Sequence, residues 1–206
     1  MTDKTGQCVT LETERLLLRP WRTTDADELY ELAKDPAIGP IAGWPIHTSV
    51  EESQQIITDI LSAPGTFCIT LKGSDKVIGC VGLNFGQAAT MELSNDEGEL
   101  GYWIGKAFWG CGYATEAARR VIEYGFTDFQ LRGIWGAYYE GNDRSCNVQR
   151  KLGFRTRGCK PNVYVEPLGE DRDVHLLYLE RPRDLQDIII ESTHENHIAI
   201  AKEPSC

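Results

Sequence analysis

The stretch from Trp103 to Ala117 constrains the fold more than any other part of this 206-residue chain. An apolar strand ends near Gly105, glycines follow at 110 and 112, and a helical pattern begins at Ala114. Glycines let the backbone turn tightly and expose successive N–H groups, and the positive end of the following helix attracts anionic oxygens. The segment therefore predicts a binding site for a pyrophosphate.

Two other phosphate-binding motifs fit this spacing poorly. A Rossmann fingerprint needs a third glycine where Thr115 stands, and a P-loop needs Gly-Lys followed by Ser or Thr. Both motifs are disfavoured. A strand-to-helix turn whose glycines serve packing alone remains as the structural alternative.

The order of predicted elements, β-α-α-β-β-β-α-β-α-β-β, indicates a mixed α/β fold with antiparallel pairing at its start and a strand-helix-strand crossover in its middle. The predicted strands are 16–21, 66–71, 77–85, 99–105, 133–140 and 174–179, with another starting at Phe154. The predicted helices are 26–33 with Thr24 as N-cap, one behind a capping box of Ser49 and Glu52, 114–126, and 145–152. We expect Ala37 to His47 to be irregular and the second helix to bury Ile56, Ile57, Ile60 and Leu61.

Size and charge narrow the class of protein. The length suits one domain, which we place at residues 1–182, followed by a C-terminal tail at 183–206 of unknown role. The net charge of -10 argues against direct nucleic-acid binding, which depends on Lys and Arg. No apolar run is long enough for a membrane span or a signal peptide, so we expect a cytoplasmic protein without membrane partners. Seven cysteines without a Cys-x-x-Cys suggest neither disulfides nor a metal site.

Three motifs in order give the chain a resemblance to a known family. They are Gly101-Tyr102-Trp103-Ile104 continued by Trp109 to Ala117, Asn142-Asp143-Arg144-Ser145, and Lys151-Leu152-Gly153-Phe154. Over residues 10 to 180 the chain resembles the GNAT acetyltransferase superfamily, and within it the RimJ/RimL-like branch, whose typical opening matches Thr13 to Arg19. The resemblance implies the GNAT fold, with a central, splayed, mostly antiparallel sheet flanked by helices, and acetyl-CoA as co-substrate.

The same resemblance implies where the cofactor binds. The family's CoA loop falls on Trp109, Gly112 and Ala114, although Trp109 departs from the usual Gln or Arg. The strands ending at Ile104 and near Glu140 are expected to splay apart and admit the pantetheine arm, with a backbone N–H near Trp103 or Ile104 polarising the acetyl carbonyl. The implied cofactor-binding residues are Trp103, Ile104, Trp109, Gly110, Cys111, Gly112, Tyr113, Ala114, Thr115, Asn142 and Ser145.

Proton transfer requires further groups, because an amine attacks a thioester only when neutral. Glu99 matches a carboxylate of RimL-like enzymes and is the predicted general base, directly or through a water, with Glu97 as a rival on the same strand face. Ser145 matches a serine thought to protonate or hydrogen-bond the departing sulfur, and its structural alternative is a helix N-cap. Asn142 corresponds to an asparagine that contacts CoA or orients a water, and its structural alternative is a turn residue.

Several cysteine, histidine and aromatic side chains near the motifs have both a functional and a structural interpretation. Cys111 and Cys146 suggest an acyl-cysteine route, which we disfavour because no His lies near either in sequence. His47 is expected to be a surface histidine, and its functional alternative is contact with the acceptor. Trp103, Tyr138 and Tyr139 either line a substrate cleft or pack in the core.

The predicted function is direct transfer of an acetyl group, within a ternary complex, to a primary amine. The acceptor is the α-amine of a peptide or protein N-terminus, or a small amine, selected by the segments Ala37 to His47 and Pro161 to Asp173. An α-amine with a pKa of about 7.8 is more often neutral at physiological pH than a lysine at about 10.4. The alternatives are a non-catalytic CoA-binding module and a different donor such as succinyl-CoA. A homodimer is possible.

Overall fold

A computed structural model describes residues 9–183, which fold around one mixed sheet. Within that range eight strands follow the order β1-β2-β3-β4-β5-β6-β8-β7. The strands are β1 Leu11–Glu12, β2 Leu16–Arg19, β3 Thr66–Leu71, β4 Val77–Asn84, β5 Glu97–Ile104, β6 Gly133–Tyr139, β7 Arg155–Val165 and β8 Glu170–Glu180. The helices are α1 Ala26–Ala33, α2 Gly39–Ala42, α3 Val50–Ile56, α4 Tyr113–Thr127 and α5 Asp143–Lys151. The predicted mixed fold is confirmed, whereas residues 184–206, most of the predicted tail, lie outside the described range.

The sheet is antiparallel except between β5 and β6, which run parallel and are joined by α4. Their ladder contains only four residue pairs, from Glu97 opposite Gly133 to Leu100 opposite Gly136. Beyond Leu100, β5 continues along β4, whereas β6 continues along β8 as far as Tyr139. The two strands therefore diverge toward their carboxyl ends, as the family resemblance predicts.

Apolar side chains on both faces of the sheet keep this divergence in place. One face packs against α4 through a cluster that includes Leu16, Phe67, Phe126 and Ile134, and the other packs against α1 and α3. The seven residues from Val77 to Leu83 in β4 are all buried. A strand covered on both faces is held from both sides, so β4 fixes the position of β5 beside it.

One predicted helix start and one predicted loop differ from the structure. Thr24 lies in a 3₁₀ turn, Thr23–Asp25, and Asp25 rather than Thr24 occupies the N-cap position of α1. The segment from Ala37 to His47 contains the single-turn helix α2 and is not wholly irregular. Proline at the start of a helix loses no intrahelical hydrogen bond, and Gly43 ends α2 with a left-handed φ of 98°, so the turn residues form the helix instead of preventing it.

The helix after Ser49 follows its prediction only in part. The Ser49 hydroxyl accepts from the Glu52 N–H at 3.1 Å, but the Glu52 carboxylate accepts from the N–H of Thr48 instead of Ser49. A π-helical turn at Ile57–Leu61 then changes the residue spacing. As a result Ile57 is buried while Ile60 is 60% exposed, which contradicts the predicted apolar face.

The segment from Pro161 to Asp173 is not a loop but the end of a long β7–β8 hairpin. The predicted last strand, 174–179, extends back to Glu170 and forward to Glu180. Pro161 is tolerated because it lies at a register shift between Lys160 and Val163 on an edge strand. None of the helices in the described range is long and apolar enough to cross a membrane.

One buried cation connects three separate segments on the α1 side of the sheet. The Arg19 guanidinium, 3% exposed, forms two hydrogen bonds of 2.7 and 2.9 Å with the Asp25 carboxylate. Its Nε donates at 2.8 Å to Asp75 in the β3–β4 turn. The Asp25 carboxylate also accepts from the Arg22 N–H. The end of β2, the start of α1 and the hairpin turn therefore depend on one charge cluster.

Replacing Asp25 with alanine is expected to lower the free energy of unfolding by about 3–5 kcal/mol, because it leaves a buried guanidinium with Asp75, an exposed side chain, as its one remaining carboxylate partner. Urea unfolding followed by circular dichroism measures this loss. Asp27→Ala, an exposed aspartate on α1, is the matched control and is expected to change stability by less than about 0.5 kcal/mol. Equal effects of the two substitutions would contradict a structural role for the Arg19 cluster.

Candidate active site

The divergence of β5 and β6 opens a cleft of about 1620 Å³. Both strands line it, together with the turn before α4, the start of α5, and the tip of the β7–β8 hairpin. Every residue predicted to bind the cofactor or to act in catalysis contributes to its wall: Glu99, Trp103, Ile104, Trp109, Gly110, Cys111, Gly112, Tyr113, Ala114, Thr115, Asn142 and Ser145. The structure thus brings together residues from separate motifs in one cavity.

The turn before α4 has the features of an anion site. Gly110 and Gly112 adopt φ angles of 81° and 79°, and α4 begins at Tyr113 without a side-chain cap among the described residues. The first-turn N–H groups of this helix therefore face the cleft without a capping oxygen. The Arg144 guanidinium lies 4.2 Å from the centre of the Trp109 ring and adds positive charge at this end.

Glu116 is the one acidic residue in the first turn of α4, and its charge is compensated. Its carboxylate accepts from Arg15 Nη2 at 2.6 Å and from the Thr13 hydroxyl at 2.6 Å. Arg15 also stacks on Tyr113, with 4.6 Å from the guanidinium to the ring centre. An anion near this turn therefore meets no uncompensated carboxylate from the helix itself.

Strand register determines which backbone groups of β5 face the gap. The Gly105 N–H donates to Ile78 O at 2.8 Å, so alternation directs the backbone groups of Trp103 toward β4 and those of Tyr102 and Ile104 toward the gap. The Ile104 carbonyl accepts from Trp109 Nε1 at 2.7 Å. Of the two predicted carbonyl-polarising donors, Ile104 is thus favoured by register, and Trp109 supports the strand end through its indole N–H.

The opposite edge of the gap is β6, where a side chain and a turn donate to backbone carbonyls. The Arg181 N–H donates to Arg132 O, and alternation from this pair directs the backbone groups of Ala137 and Tyr139 into the gap. Gln149 Nε2 donates to Ala137 O at 3.0 Å, and the Asn142 N–H donates to Tyr139 O at 3.0 Å. These contacts occupy carbonyls on β6, while the N–H and C=O of Tyr102 remain suited to an extended chain that carries amides.

Glu99 and Glu97 lie on the same strand face but have different surroundings. Glu99 is 4% exposed, lines the cleft, and accepts from the Thr90 N–H at 2.6 Å and from the Thr90 hydroxyl. β5 begins at Glu97, but the Glu97 carboxylate accepts hydrogen bonds of 3.0 Å from both Arg132 Nη2 and the Tyr178 hydroxyl. The geometry favours Glu99 over its rival.

Ser145 lies across the sheet from Glu99, next to a half-buried tyrosine. Its Oγ is 3.0 Å from the Tyr102 hydroxyl and accepts from Gln149 Nε2 at 3.1 Å. Burial raises the pKa of Tyr102 to about 12, so this side chain is an uncharged phenol at neutral pH. The pair therefore offers two hydroxyl groups to the gap.

The structural alternatives for Ser145 and Asn142 are corrected by the start of α5. Asn142, not Ser145, is the N-cap, since its Oδ1 accepts from the Ser145 N–H at 3.1 Å. The Ser145 hydroxyl is consequently free of capping and contacts Tyr102. The Asn142 amide also donates to Ile41 O at 3.2 Å, which connects α2 to the mouth of the cleft.

The aromatic and histidine predictions have mixed outcomes. Trp103 lines the cleft and also packs in the core, with ring centres 6.5 Å from Trp21 and 5.8 Å from Trp44. Tyr138 and Tyr139 line the cleft. His47 is not on the surface: it is 6% exposed, its Nδ1 is 2.8 Å from Ser53 Oγ, and burial lowers its pKa.

Both histidines in the described range contact an oxygen-bearing side chain. His47 and His175 contact Ser53 and Glu140, respectively, while the Cys111 thiol lies 3.8 Å from Trp109 O. Cys146 is buried. Neither of these histidine contacts is the thiol–imidazole pair that an acyl-cysteine route needs.

Three residues in or next to this site were not predicted from the sequence: Tyr102, Thr90 and Gln149, which contacts Ser145. Tyr102 is inside the family motif, and its position opposite Glu99 follows from strand alternation. Thr90 lies in the polar segment between β4 and β5, where no periodicity indicates a contact. Gln149 is a polar residue on the buried face of α5. A polar residue at an otherwise apolar position of a helix is the feature of the sequence that could have identified it.

Gly110→Ala is expected to reduce CoA affinity about tenfold, because an alanine resists the left-handed φ that opens the turn. Gly73 is the matched control: it has a φ of 83°, and like Gly110 it has open space where a Cβ would lie, but it lies in the β3–β4 turn. Gly73→Ala is expected to lose similar stability without losing affinity. Isothermal titration with CoA measures the difference, and equal affinities for the two variants would contradict a binding role for the Gly110 turn.

Comparisons with known proteins agree with this geometry. A family model described as the acetyltransferase (GNAT) domain matches residues 15–155. The "uncharacterized N-acetyltransferase p20" of Bacillus licheniformis is 33% identical over 175 residues, which cover 82% of this chain and 95% of that protein.

Solved structures share the fold. RimJ of Mycobacterium smegmatis, in complex with CoA-disulfide, has a TM-score of 0.70 at 22% identity, and the match covers 90% of this chain and 94% of the RimJ chain. The ribosomal-protein-S5-alanine acetyltransferase of Vibrio fischeri has a TM-score of 0.66 at 22% identity, and the match covers 85% of this chain and 98% of the Vibrio fischeri chain. These relatives include proteins of the predicted RimJ/RimL-like branch, and the fold implies use of an acyl-CoA. The family match over residues 15–155 and the similarity to p20 along most of both chains show that this protein belongs to the GNAT acetyltransferase family.

Proposed function

We propose that this acetyltransferase transfers the acetyl group of acetyl-CoA directly to a primary amine, in a ternary complex in the cytoplasm, with the α-amine of a peptide or protein N-terminus as the favoured acceptor. The observation that carries the proposal is the placement of a buried carboxylate, Glu99, and a hydroxyl pair, Ser145 and Tyr102, along the same cleft. Bound acetyl-CoA supplies an activated thioester. The chain supplies binding, orientation and proton transfer.

The backbone groups along the gap fit the chemistry of CoA. The N–H groups around Gly110 and Gly112 and the start of α4 would hold the pyrophosphate, with Arg144 nearby. The N–H and C=O of Tyr102 would pair with amides of the pantetheine arm. The Ile104 N–H would polarise the acyl carbonyl, a contribution worth roughly 3 kcal/mol in sites of this type.

Glu99 is the proposed general base. Each oxygen of a carboxylate can accept two hydrogen bonds, so the contacts with Thr90 leave capacity for an ammonium proton, directly or through a water. Thr90 also fixes the direction of the carboxylate. An α-amine needs less help than a lysine side chain, because its pKa of about 7.8 lies closer to neutral pH.

Ser145 is the proposed hydrogen-bond donor to the departing thiolate. Its hydroxyl lies at the gap and is held by contacts with Tyr102 and Gln149. Because Tyr102 stays uncharged, the pair adds no negative charge beside the sulfur. Donation to a thiolate stabilises the anion and favours departure of the thiol.

The acceptor preference comes from the pKa argument and from a relative's name. The Vibrio fischeri neighbour is named a ribosomal-protein-S5-alanine acetyltransferase. Alanine has no side-chain amine, so an amine acceptor on an alanine is an α-amine. The residues that line the cleft include two exposed apolar side chains, Tyr164 near the hairpin tip at 63% exposed and Ile41 on α2 at 36% exposed. A lining with exposed apolar side chains suits a peptide better than a compact polycation.

Glu99→Gln is expected to lower kcat by about 10²–10⁴-fold near neutral pH. The deficit should shrink as pH rises, because an acceptor amine that is already neutral needs no base. Rates of thiol release between pH 6 and 9.5 measure this dependence. Glu97→Gln, which removes charge from a carboxylate bound by Arg132, is the control and is expected to cost stability without this pH-dependent loss of kcat. A Glu99→Gln deficit that is constant with pH would contradict the role of general base.

The acceptor class is tested by thiol release from acetyl-CoA with peptides bearing free N-termini, polyamines, aminoglycosides and amino acids, with succinyl-CoA in parallel. Peptides are expected to turn over fastest, and succinyl-CoA more slowly than acetyl-CoA. Turnover confined to a small amine would overturn the peptide assignment. CoA binding without turnover of any amine would support a non-catalytic CoA-binding module instead.

A further inference from the structure

Gln149 on α5 is a buried amide that the proposed mechanism does not use. It is 1% exposed, and its Nε2 donates to Ala137 O at 3.0 Å and to Ser145 Oγ at 3.1 Å. Its Oε1 is buried and finds no hydrogen-bond partner in the described part of the chain. Burying an unpaired amide oxygen costs free energy, a cost that an apolar side chain of similar size would avoid.

The neighbouring strand is built to receive this amide. A Cβ at Gly136 would lie 2.3 Å from Gln149 Oε1, so any larger residue at position 136 would displace the side chain. Gly136 is the last β6 residue paired with β5, and Ala137 is the first beyond the ladder. Gln149 therefore binds β6 at the point where the gap opens.

The orientation of the amide follows from its partners. The Ala137 carbonyl can only accept, so the NH₂ of Gln149 must face it, and the second hydrogen of that group points to Ser145 Oγ. Ser145 Oγ is then an acceptor in this contact, and its own proton must point elsewhere. The Tyr102 hydroxyl can donate to Ser145 O at 3.0 Å, which leaves the Tyr102 oxygen and the gap as targets for the Ser145 proton.

We propose that Gln149 is a positioning residue that makes the Ser145 hydroxyl a donor toward the gap and holds the Ala137 carbonyl at the edge of the gap. Gln149 does not line the cleft and so acts through Ser145. This inference rests on the role of Ser145 in the proposed function. It explains why the chain keeps a buried amide with an unpaired oxygen where an apolar residue would be more stable.

The test is a double-mutant cycle in the full-length enzyme with Gln149→Leu, Ser145→Ala and both together, assayed by thiol release with the best acceptor from the amine panel. Gln149→Leu is expected to lower kcat about tenfold, the effect of losing one or two hydrogen bonds, while KM for acetyl-CoA changes less than about twofold. In the Ser145→Ala background, Gln149→Leu is expected to have no further effect on kcat, because residues in one network are not additive.

Two further variants separate positioning from folding. Gln149→Met keeps the side-chain length without donating hydrogen bonds and is expected to reproduce the kcat loss if Gln149→Leu does not fold. Gln54→Leu, at an exposed glutamine of α3, is the matched control and is expected to leave kcat unchanged. Thermal unfolding of each variant reports stability separately from rate.

The outcomes distinguish this inference from the function on which it rests. An unchanged kcat in Gln149→Leu, or the same fold-loss with and without Ser145, overturns the inference while the wild type still acetylates its amine. A wild type that binds CoA but turns over no amine overturns the proposed function, and the inference with it.

Discussion

The early end of the parallel ladder between β5 and β6 is the constraint on which the rest of this structure depends. Four residue pairs hold the strands together, and beyond Leu100 and Gly136 each strand follows its other neighbour. Splitting a sheet leaves backbone groups without partners, which is costly unless something replaces them. Here the Trp109 indole N–H donates to the Ile104 carbonyl, and the Gln149 amide donates to the Ala137 carbonyl. The groups that remain are those that an extended amide-bearing cofactor can pair with.

Charge is arranged along the cleft in a way that the net charge of -10 does not reveal. At the turn before α4, Arg15 compensates Glu116 and Arg144 stacks on Trp109, so an anion meets helix N–H groups and cations. Glu99 lies elsewhere along the cleft, buried and bound by Thr90. Under the proposed function, one cavity therefore accommodates an anionic donor at the turn before α4 and a cationic acceptor near Glu99.

The sequence predicts the parts of this site that depend on local pattern. Glycines at 110 and 112 predict the turn, the spacing from Ala114 to Phe126 predicts α4, and strand alternation gives Glu99 a definite face. Contacts between distant segments were not predictable in this way, since Tyr102 meets Ser145 across 43 residues. The burial of His47 was also missed, because no periodic pattern predicts its contacts with Trp44 and Ser53. Predictions of helix starts at Thr24 and Ser145 were wrong because Asp25 and Asn142 occupy the N-cap positions instead.

The central claim is that amine, thioester and proton-transfer groups meet where β5 and β6 part. A crystal structure with a bisubstrate analogue, in which a peptide N-terminus is joined through an acetyl linker to the sulfur of CoA, tests this most directly. The account predicts the linked nitrogen within hydrogen-bond reach of Glu99 or one water away, and the sulfur within reach of the Ser145 hydroxyl. An analogue that binds with its sulfur outside the gap, or with its nitrogen facing neither Glu99 nor a water bound to it, would contradict the account.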